Sequence, residues 1–416
     1  MLSEEENELL TRTYSGTAMG QLIRRYWIPA LLSEEIAAPD SPPVRVRLLG
    51  EDLVAFRDSQ GRIGLINEFC SHRGTSLFYG RNEECGLRCV YHGWKYDVHG
   101  NVLETPAEPG DSQLKHKIHH KAYPCHEAAG VVFAYLGPKD RIPLFPKFPW
   151  LTVPFENVII TKFYLECNYL QALEGDCDTS HTAFLHRGNR GGGVEAPRED
   201  PAPVFEIEDT WCGLRAAAIR RVGSDKQNAR VSTFAMPVIG SVPIGKTING
   251  KLDGFLAVYQ VPADDYTTWR YNFRFKRSEP MTPEEHYYDK CQVGSDFKLL
   301  ANRRNEYLLD RGKQKTFNYS GIDGFATQDA CVTETMGSIC DRTKEHLGAS
   351  DTYVIALRRF LLKAVKDFKQ GIEPPGLVFD VAKNDFSAAN CISFDTGLVK
   401  SRSFRSLKEI FPNERS

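Results

Sequence analysis

The sequence predicts an α+β fold in two parts: an all-β module, then a domain in which an antiparallel sheet is flanked by helices. Three observations carry this prediction. Short alternating strands separated by turns run from about residue 44 to 138, strictly alternating segments recur at 255–276, and helical stretches lie around and after them. A proline-rich stretch, 143–154, separates the two parts.

The all-β module is predicted from its alternation of apolar and polar residues. The first strands are expected at 44–48, 52–57 and 63–66, and a last one at 130–136, followed by Gly137-Pro138. We therefore expect an N-terminal segment over 1–43 that packs with the second domain, the β module over 44–140 and the second domain over 141–416.

The second domain is predicted from the uninterrupted alternation of 268–276. One face of this strand carries the aromatic side chains of Trp269, Tyr271, Phe273 and Phe275. The other face carries the polar or basic side chains of Arg270, Asn272, Arg274 and Lys276. The preceding segment 255–261 repeats the pattern, which indicates two antiparallel strands with one packed face. Helices are expected at 169–186, 283–304, 329–347 and 351–368.

Composition limits the classes of function. With 416 residues the chain is long enough for two domains with full cores. A net charge of −2 without a basic stripe argues against nucleic-acid binding. The acidic N-terminal residues are unlike a signal peptide, and no apolar run is long enough to cross a membrane. The eleven cysteines are therefore expected to be reduced thiols and metal ligands in a cytoplasmic protein.

The strongest chemical motif pairs cysteine with histidine twice. Cys70-Ser-His72 is followed, after sixteen residues, by Cys89-Val-Tyr-His92, and Gly74 and Gly93 stand close behind the two pairs. Two thiolates and two imidazoles are the ligand set of a [2Fe–2S] cluster in which histidines replace cysteines on one iron. The motif therefore predicts one-electron transfer.

A structural Cys2His2 zinc site is the alternative, because zinc takes the same ligand types. Zinc fingers usually pair cysteine with cysteine and histidine with histidine, whereas here each pair is mixed and lies in a tight turn. Cys85, four residues before Cys89, is an alternative thiolate ligand, but we expect it to be a free, buried cysteine.

A second motif spans 174–186 and holds two histidines. On a helix, Glu174, Asp178 and His181 share one face, and a bulge or the helix end must bring back His186, five residues later. Two histidines and one carboxylate form the facial triad of a non-haem Fe(II) oxygenase. Taken alone, two histidines at this spacing are more often ordinary surface or core residues.

Together the motifs resemble those of the Rieske non-haem iron oxygenases. The segment from Cys70-Ser-His-Arg-Gly to Cys89-Val-Tyr-His-Gly-Trp-Lys-Tyr96 resembles the Rieske motif, and Asp178-x-x-His181-x4-His186 resembles the iron motif. The segments 173–181 and Gln328-Asp-Ala-Cys-Val-Thr-Glu334 are similar to the phthalate dioxygenase-type branch. The resemblance implies an alpha (terminal oxygenase) subunit with an all-β Rieske domain, a helix-grip (START-like) catalytic domain, a [2Fe–2S] cluster and a mononuclear Fe(II).

The resemblance also implies ligands for both metals. The cluster ligands would be Cys70, His72, Cys89 and His92, and the iron ligands His181, His186 and Asp329. Glu334 and Asp341 remain alternatives for the carboxylate ligand, and Asp329 could instead stabilise the first turn of its helix.

Asp178 is expected to orient His181, because a carboxylate at i−3 can reach the outer ring nitrogen. In the family the matching aspartate also bonds a Rieske histidine of the neighbouring subunit, so the implied path runs from His92 of one chain to Asp178 and His181 of the next. This implies a ring-shaped homo-oligomer, a trimer or a hexamer of stacked trimers. An ordinary surface carboxylate is the alternative for Asp178, and Glu174 and Asp176 have weaker claims to a role.

The implied reaction is the hydroxylation of a small aromatic substrate with O2, by cis-dihydroxylation of an aromatic carboxylate such as a phthalate or benzoate. A separate NAD(P)H-dependent flavin/iron–sulfur reductase would supply electrons, because the chain has no Gly-x-Gly-x-x-Gly loop. Monooxygenation or O-demethylation of an aromatic acid is the alternative within the family, and a Rieske electron carrier without oxygenase activity is the alternative from another class.

A carboxylate substrate in an apolar pocket needs a positive partner. The basic residues in sheet-forming stretches of the second domain are Arg215, Arg220, Lys246, Arg270 and Arg274. Each of them, taken singly, is expected to face solvent rather than a substrate.

Overall fold

The computed structural model describes residues 1–188, 199–245, 247–248, 251–288, 292–397 and 407. The chain divides into two compact units, one formed by 24–145 and the other by 1–23 together with 146–416. The sequence placed the first boundary at 43/44, whereas the division lies at 23/24, because the strand Trp27–Leu32 pairs with Val131–Tyr135 of the β unit. Among the described residues, no helix has both the length and the apolar character needed to cross a membrane.

The unit 24–145 is built from three antiparallel sheets, as the alternation predicted. In spatial order, the strands of the first sheet are Trp27–Leu32, Val131–Tyr135 and Cys125–Ala128. Those of the second sheet are Val44–Leu48, Glu51–Arg57, Ile63–Asn67 and Ala122–Tyr123. Those of the third sheet are Arg81–Glu83, Gly86–Arg88, Lys95–Tyr96 and Val102–Glu104. One helical turn, Leu114–Lys117, lies among them. Buried side chains such as Phe56, Leu87 and Trp94 form an apolar cluster that packs beside Cys70 and Cys89.

The second unit is organised around an eight-stranded antiparallel sheet. Its strands follow the order Val158–Leu165, Thr268–Phe275, Leu256–Pro262, Ile239–Val242, Lys226–Ala235, Gly213–Val222 and Val204–Thr210. The eighth strand, Ile392–Gly397, pairs with the first half of Lys226–Ala235. A separate two-stranded ribbon joins Thr247–Ile248 and Lys251–Leu252.

Helices accompany this sheet: Glu4–Thr11, Ala18–Ile23, Pro149–Thr152, Tyr169–Cys177, Pro283–Tyr288, Arg311–Thr316, Phe325–Glu334 and Thr352–Lys369. The last of them was predicted almost to its ends, because Val354, Leu357, Leu361 and Val365 repeat at helical spacing and are all buried.

Three predicted helices were too long. The helix expected at 169–186 is Tyr169–Cys177, because Asp178 is already extended (φ −80°, ψ 112°). The helix expected at 329–347 is Phe325–Glu334, after which a tight turn joins the amide of Gly337 to the carbonyl of Glu334. The helix expected at 283–304 is described over Pro283–Tyr288, and a distorted 3-10 stretch occupies Arg303–Leu308.

The alternating segment forms the strand Thr268–Phe275, as predicted. Its aromatic face packs into the core, where Tyr271 and Phe273 are fully buried. The polar face does not lie on the outside of the sheet, since Arg270 is only 7% exposed. Arg270, Asn272 and Arg274 instead line a cavity in this unit.

Candidate metal centres and cavity

Two loops of the β unit carry the cysteine and histidine residues of the first motif. Cys70 and His72 follow the strand Ile63–Asn67, and Cys89 and His92 lie between Gly86–Arg88 and Lys95–Tyr96. Both thiols are buried, and the rings of His72 and His92 lie 4.5 Å apart between centroids. The fold therefore brings the four side chains that the sequence singled out to one place.

The two loops are closed in the same way. The amide of Gly74 donates to the carbonyl of Cys70 at 2.8 Å, and the amide of Gly93 donates to the carbonyl of Cys89 at 3.0 Å. Gly74 and Gly93 have φ values of +74° and +75°, a region that other residues occupy at a cost. Each glycine thereby lets the chain turn tightly around one Cys–His pair.

Aromatic side chains surround this site from within. The hydroxyl of Tyr96 lies 3.0 Å from Sγ of Cys70, and the indole of Trp94 stacks on the ring of His72 at 4.8 Å. On the outside, Val90 and Tyr91 are more than half exposed beside His92. The thiols thus face the protein core, and the imidazoles lie nearer the surface.

The types of the four ligand side chains, and the way in which they are arranged, fit a [2Fe–2S] cluster better than a single zinc ion. A tetrahedral zinc site needs its four ligand atoms packed around one ion. In the part of the chain that the structure describes, Cys70, His72, Cys89 and His92 do not form such a compact group. A [2Fe–2S] cluster does not require one, because its four ligands are divided between two irons. Cys85 lies in the turn between Arg81–Glu83 and Gly86–Arg88 with φ +61° and forms no disulfide with another described cysteine; it is only partly buried, so the expected burial was wrong.

His181, His186 and Asp329 form a compact group in the second unit. Nε2 of His186 lies 3.2 Å from Nε2 of His181 and 3.1 Å from Oδ1 of Asp329, and the remaining nitrogen–oxygen distance is 3.9 Å. Among the described residues this is the one set of three or more such side chains close enough to hold a metal ion. Two imidazoles and one carboxylate fit a mononuclear iron with open coordination positions.

The chain reaches this geometry by ending a helix, not by bulging it. After Tyr169–Cys177 the backbone is extended at Asp178, and a 3-10 turn, His181–Ala183, then carries the first histidine. Three residues after this turn, His186 comes within reach of the same point, to which the helix Phe325–Glu334 contributes Asp329. The predicted single helical face for Glu174, Asp178 and His181 is therefore wrong.

The charges of the group depend on one another. Burial raises the pKa of Asp329, but His186, Arg270 and His181 outweigh this effect and lower it to about 2. Burial lowers the pKa of His181, but Asp178 and Asp329 more than compensate, so this pKa lies above its usual value. The site thus holds an ionised carboxylate between two imidazoles.

Asp178 lies beside the group without being part of it. Its Oδ2 lies 3.5 Å from Nδ1 of His181, and its Oδ1 accepts the amide of Ser180 at 2.7 Å. Its side chain is 28% exposed. Asp178 is therefore placed beside His181 with its carboxylate partly exposed.

The other carboxylates considered from sequence have different partners. Glu334 accepts the hydroxyl of Tyr307 at 2.6 Å, and Asp341 pairs with Lys344 at 2.8 Å. Glu174 is buried between Arg342 and Arg358. None of these three belongs to the compact group around His181 among the described residues, so the alternatives Glu334 and Asp341 for the third ligand do not fit the structure.

The group opens into a cavity of about 670 Å³. Apolar lining residues are Ile159, Val242, Ile244, Leu256, Leu299 and Phe325, and basic ones are Arg230, Arg270 and Arg274. Because the cavity adjoins His181, His186 and Asp329, a molecule bound in it lies next to the metal position. The mixture of apolar walls and a few charged groups is typical of a small-molecule site.

Several basic residues were expected to face solvent, and for three of them this was wrong. Arg215, Arg220 and Arg270 are all buried, because the strands that carry them are covered on both faces. Arg215 donates to Glu208 and to the carbonyl of Ala388. Arg274 is partly buried in the cavity wall, and Lys246 lies outside the described residues.

Two residues of this region were missed. Arg230 lines the cavity, and the alternation of Asn228, Arg230 and Ser232 with Ala229 and Val231 was a signal for it. The other is Gln328, whose side chain contacts His186. Its position directly before Asp329 was the available signal.

Comparison with known proteins places both units in described families. Residues 26–124 match the Rieske [2Fe-2S] domain, and residues 134–414 match the family described as LigXa C-terminal domain like. The phthalate 4,5-dioxygenase oxygenase subunit of Pseudomonas putida is 42% identical over 392 residues, covering 89% of this chain and 88% of that protein.

A further relative and a solved structure agree. The 5,5'-dehydrodivanillate O-demethylase oxygenase subunit of Sphingobium sp. is 30% identical over 391 residues, covering 92% of this chain and 85% of that protein. The crystal structure of dicamba monooxygenase bound to dicamba has the same fold, with a TM-score of 0.63 at 15% identity, over 85% of this chain and all of the other. The chain therefore belongs to the Rieske non-haem iron oxygenases, as an oxygenase (alpha) subunit of the phthalate dioxygenase-like branch, whose cofactors are a Rieske [2Fe–2S] cluster and a mononuclear iron.

Proposed function

We propose that this chain is the terminal oxygenase for an aromatic carboxylate, which it cis-dihydroxylates with O2 and with electrons from a separate NAD(P)H-dependent flavin/iron–sulfur reductase. The observation that carries this proposal is the cavity beside His181, His186 and Asp329, which combines apolar walls with buried arginine side chains. The names of the relatives, phthalate dioxygenase among them, support an aromatic acid as substrate.

In this proposal the two metal groups are held by the residues that the sequence singled out. Cys70, His72, Cys89 and His92 hold the [2Fe–2S] cluster, and His181, His186 and Asp329 hold the iron. When bound, these groups supply one-electron transfer and the activation of dioxygen. The protein positions the substrate, excludes water from the apolar wall and fixes the ligand side chains.

The substrate carboxylate is assigned to the part of the cavity wall that holds Arg230 and Thr179, behind which Arg220 lies. Arg220 is 1% exposed, and its Nη2 donates to the carbonyl and the hydroxyl of Thr179, a lining residue, at 2.9 and 2.7 Å. Its Nε and Nη1 have no hydrogen-bond partner among the residues that the structure describes. Burial and the neighbouring Arg230 lower the pKa of Arg220 to about 10. A buried cation with free donors is costly unless an anion joins it, and a bound carboxylate would be that anion.

The aromatic ring of the substrate is assigned to the apolar walls formed by residues such as Ile159, Val242 and Leu256. Burying a ring there removes apolar surface from water, at about 25 cal/mol per Å². With its carboxylate held by the arginines, the ring would lie between them and the three metal ligands. This arrangement presents ring carbons to the iron position.

Asp178 is proposed to connect the metal sites of neighbouring subunits. Its partly exposed carboxylate lies next to Nδ1 of His181 and has one oxygen free of the Ser180 amide. A histidine of another chain, His92 in this proposal, could donate to that oxygen. The proposal requires a ring-shaped homo-oligomer, a trimer or hexamer, and we place it in the cytoplasm.

Monooxygenation, including O-demethylation of an aromatic acid, is the second candidate. The 30% identity to an O-demethylase subunit over most of the chain favours it, and the same cavity would serve either outcome. A pure electron carrier is less well supported, because it would need neither the cavity nor the group around Asp329.

The test is product analysis with the reduced, iron-loaded protein, ¹⁸O2 and a panel of phthalates, halobenzoates, phenoxybenzoates and methoxybenzoates. Two labelled oxygens and two added hydrogens on a ring support the dioxygenase proposal. One labelled oxygen, or loss of a methyl group, supports the second candidate. No product from any acid, with both metals bound and the cluster reducible, would overturn the proposed substrate class.

A further inference from the structure

Gln328 is fully buried on the helix Phe325–Glu334, directly before Asp329. Its Oε1 lies 2.7 Å from Nδ1 of His186, on the side of the ring opposite to the nitrogen that faces Asp329 and His181. The helix thus delivers a carboxylate to the metal position and, one residue earlier, an amide to the back of a histidine ring.

The orientation of this amide is determined by its other contacts. Its Nε2 lies 2.8 Å from the carbonyl oxygen of Ile322 and 2.9 Å from Oγ of Ser320. A carbonyl can only accept, so the nitrogen of the amide must face Ile322. The oxygen of the amide must then face His186, where it accepts a hydrogen bond and cannot donate one.

This acceptor determines the tautomer of the histidine. Because Oε1 accepts, Nδ1 of His186 carries the proton, and Nε2 is left with a lone pair. That nitrogen is the one 3.1 Å from Asp329 and 3.2 Å from His181. We propose that Gln328 is a positioning residue of the mononuclear iron site, which holds His186 as the Nδ1-protonated tautomer with Nε2 aimed at the metal. This inference rests on the proposed role of His181, His186 and Asp329 as ligands.

The two histidines are held differently, and the difference has a physical reason. His181 has a carboxylate, Asp178, at its Nδ1, in a place that is partly exposed. His186 is buried, and two carboxylates already lie in this region: Asp329, 3.1 Å from its Nε2, and Asp176, whose side chain is 4% exposed. A third negative charge would be costly there, whereas a neutral amide supplies the acceptor without adding charge.

The experiment measures metal affinity, not turnover. The full-length protein keeps its cluster while the mononuclear iron is removed with a chelator, and Co²⁺ is titrated back in competition with that chelator. Gln328→Met removes the acceptor at nearly constant volume, and we expect it to weaken Co²⁺ binding by roughly 10- to 100-fold. The visible spectrum of the cluster reports whether the unit 24–145 is intact, and thermal unfolding followed by circular dichroism reports on the unit that contains Gln328.

Gln171→Met is the matched control. Gln171 is also buried, and it holds the end of the same helix by donating to the carbonyls of Thr333 and Gly337 at 2.7 and 2.8 Å. If loosening of this helix explained a loss of affinity, Gln171→Met would show the same loss. We expect its affinity to stay within about twofold of the wild type.

Gln328→Glu keeps the inference testable if the methionine variant does not fold. A buried, protonated glutamic acid can donate to Ile322 and accept from His186, so we expect it to bind Co²⁺ within a few-fold of the wild type. Unchanged affinity in Gln328→Met, or a loss of roughly 10-fold or more in a folded Gln328→Glu, would overturn the inference. Absence of Co²⁺ binding in the wild type would overturn the proposed iron site itself, which separates the two failures.

Discussion

The guanidinium of Arg270 reaches Asp329, the carboxylate of the candidate iron site, with Nη1 3.7 Å from Oδ2. Its Nη2 lies 3.2 Å from Oδ1 of Asp176, whose other oxygen accepts from Gln260 at 2.7 Å. Arg270 therefore joins the buried carboxylate of Asp176 to the partly buried one of Asp329 and limits how far Asp329 can turn. Burial raises the pKa of Asp176 to about 6 even though Arg270 and Gln260 act against it, which shows how much this carboxylate depends on its partners.

Replacing Arg270 by methionine should destabilise the protein by about 3–5 kcal/mol, because Asp176 would be left buried and unpaired. The double variant Arg270→Met with Asp176→Asn should recover much of this loss, since the buried charge is then gone. Urea unfolding followed by circular dichroism measures both. If the single and the double variant lose the same free energy of unfolding, Asp176 does not need Arg270 as its charge partner.

The two cluster loops offer a matched pair of glycine substitutions. Gly74→Ala and Gly93→Ala both place a side chain at φ near +75°, at a cost of about 1–2 kcal/mol each. At Gly93 the new Cβ would also lie 2.7 Å from Cγ of Pro106, whereas at Gly74 no atom of the described residues lies within 4 Å. We expect Gly93→Ala to lose more of the visible absorbance of the cluster per chain than Gly74→Ala. A larger loss at Gly74 would contradict this steric ranking.

Glu174 should make the protein sensitive to acid. Burial raises the pKa of this carboxyl, but Arg342 and Arg358 outweigh burial and hold it below its usual range. The ionised Glu174 carboxylate therefore stabilises the folded protein fully at pH values above the unfolded-state pKa of a glutamate, about 4.3. This contribution is lost as the pH falls through the lower folded-state pKa. Unfolding free energies measured from pH 6 downwards should fall for the wild type.

Glu174→Gln is the corresponding variant. It leaves the buried Arg342 without its carboxylate partner, whereas Arg358 keeps Glu345, so it should lower stability at neutral pH by about 3–5 kcal/mol. Its stability should then depend less on pH below 5 than that of the wild type. Parallel pH profiles for the two proteins would show that the acid sensitivity comes from other groups.

Asp178→Asn should separate metal binding from turnover. Asparagine keeps an oxygen for the Ser180 amide but removes the charge beside Nδ1 of His181. Iron content should stay at about three atoms per chain, two in the cluster and one at the mononuclear site, while turnover falls by roughly 10- to 100-fold. Iron analysis and steady-state rates on the same preparation test this, and an unchanged rate would count against the proposed bridge.

The metal motifs could be predicted from sequence because their information is local. Cys70-Ser-His72 and Cys89-Val-Tyr-His92 combine rare ligand residues at short spacing, and the strands around them alternate clearly. His181 and His186 were also found by residue type and spacing. The end of the helix at Cys177 was missed although a signal existed: Asp178, Thr179 and Ser180 are residues whose side chains bond nearby backbone, and Asp178 does accept the Ser180 amide.

The arginine side chains could not be placed from sequence. The alternation of residue types in 268–276 shows that the two faces of this strand differ in polarity. It does not show that other parts of the protein cover both faces. Arg270 is buried because residues distant in sequence, Asp176 and Asp329, pack over the polar face of its strand. Arg220 is buried because Thr179, in the turn after a helix, folds onto it. Such burial depends on tertiary contacts, which one sequence without an alignment does not contain.

Arg220 gives the sharpest test of the proposed carboxylate site, because substrate binding and stability should change in opposite senses. Arg220→Met removes a buried cation whose Nε and Nη1 have no partner in the described part of the chain, so the substrate-free protein should be as stable as the wild type or more stable. Losing a charge-assisted hydrogen bond to the substrate carboxylate, about 1.5–3 kcal/mol, should raise KM by roughly 10- to 100-fold. The KM of an uncharged amide analogue should change little.

Arg215→Met is the control for this prediction. Arg215 is as deeply buried on the same strand, Gly213–Val222, but it already donates to Glu208 and to the carbonyl of Ala388. Its loss should lower stability and leave the KM of the carboxylate substrate unchanged. Thermal unfolding and KM measured for both variants therefore decide between two roles for Arg220. A variant at Arg220 that is less stable and has an unchanged KM would mean that this arginine supports the fold and that the substrate carboxylate binds elsewhere.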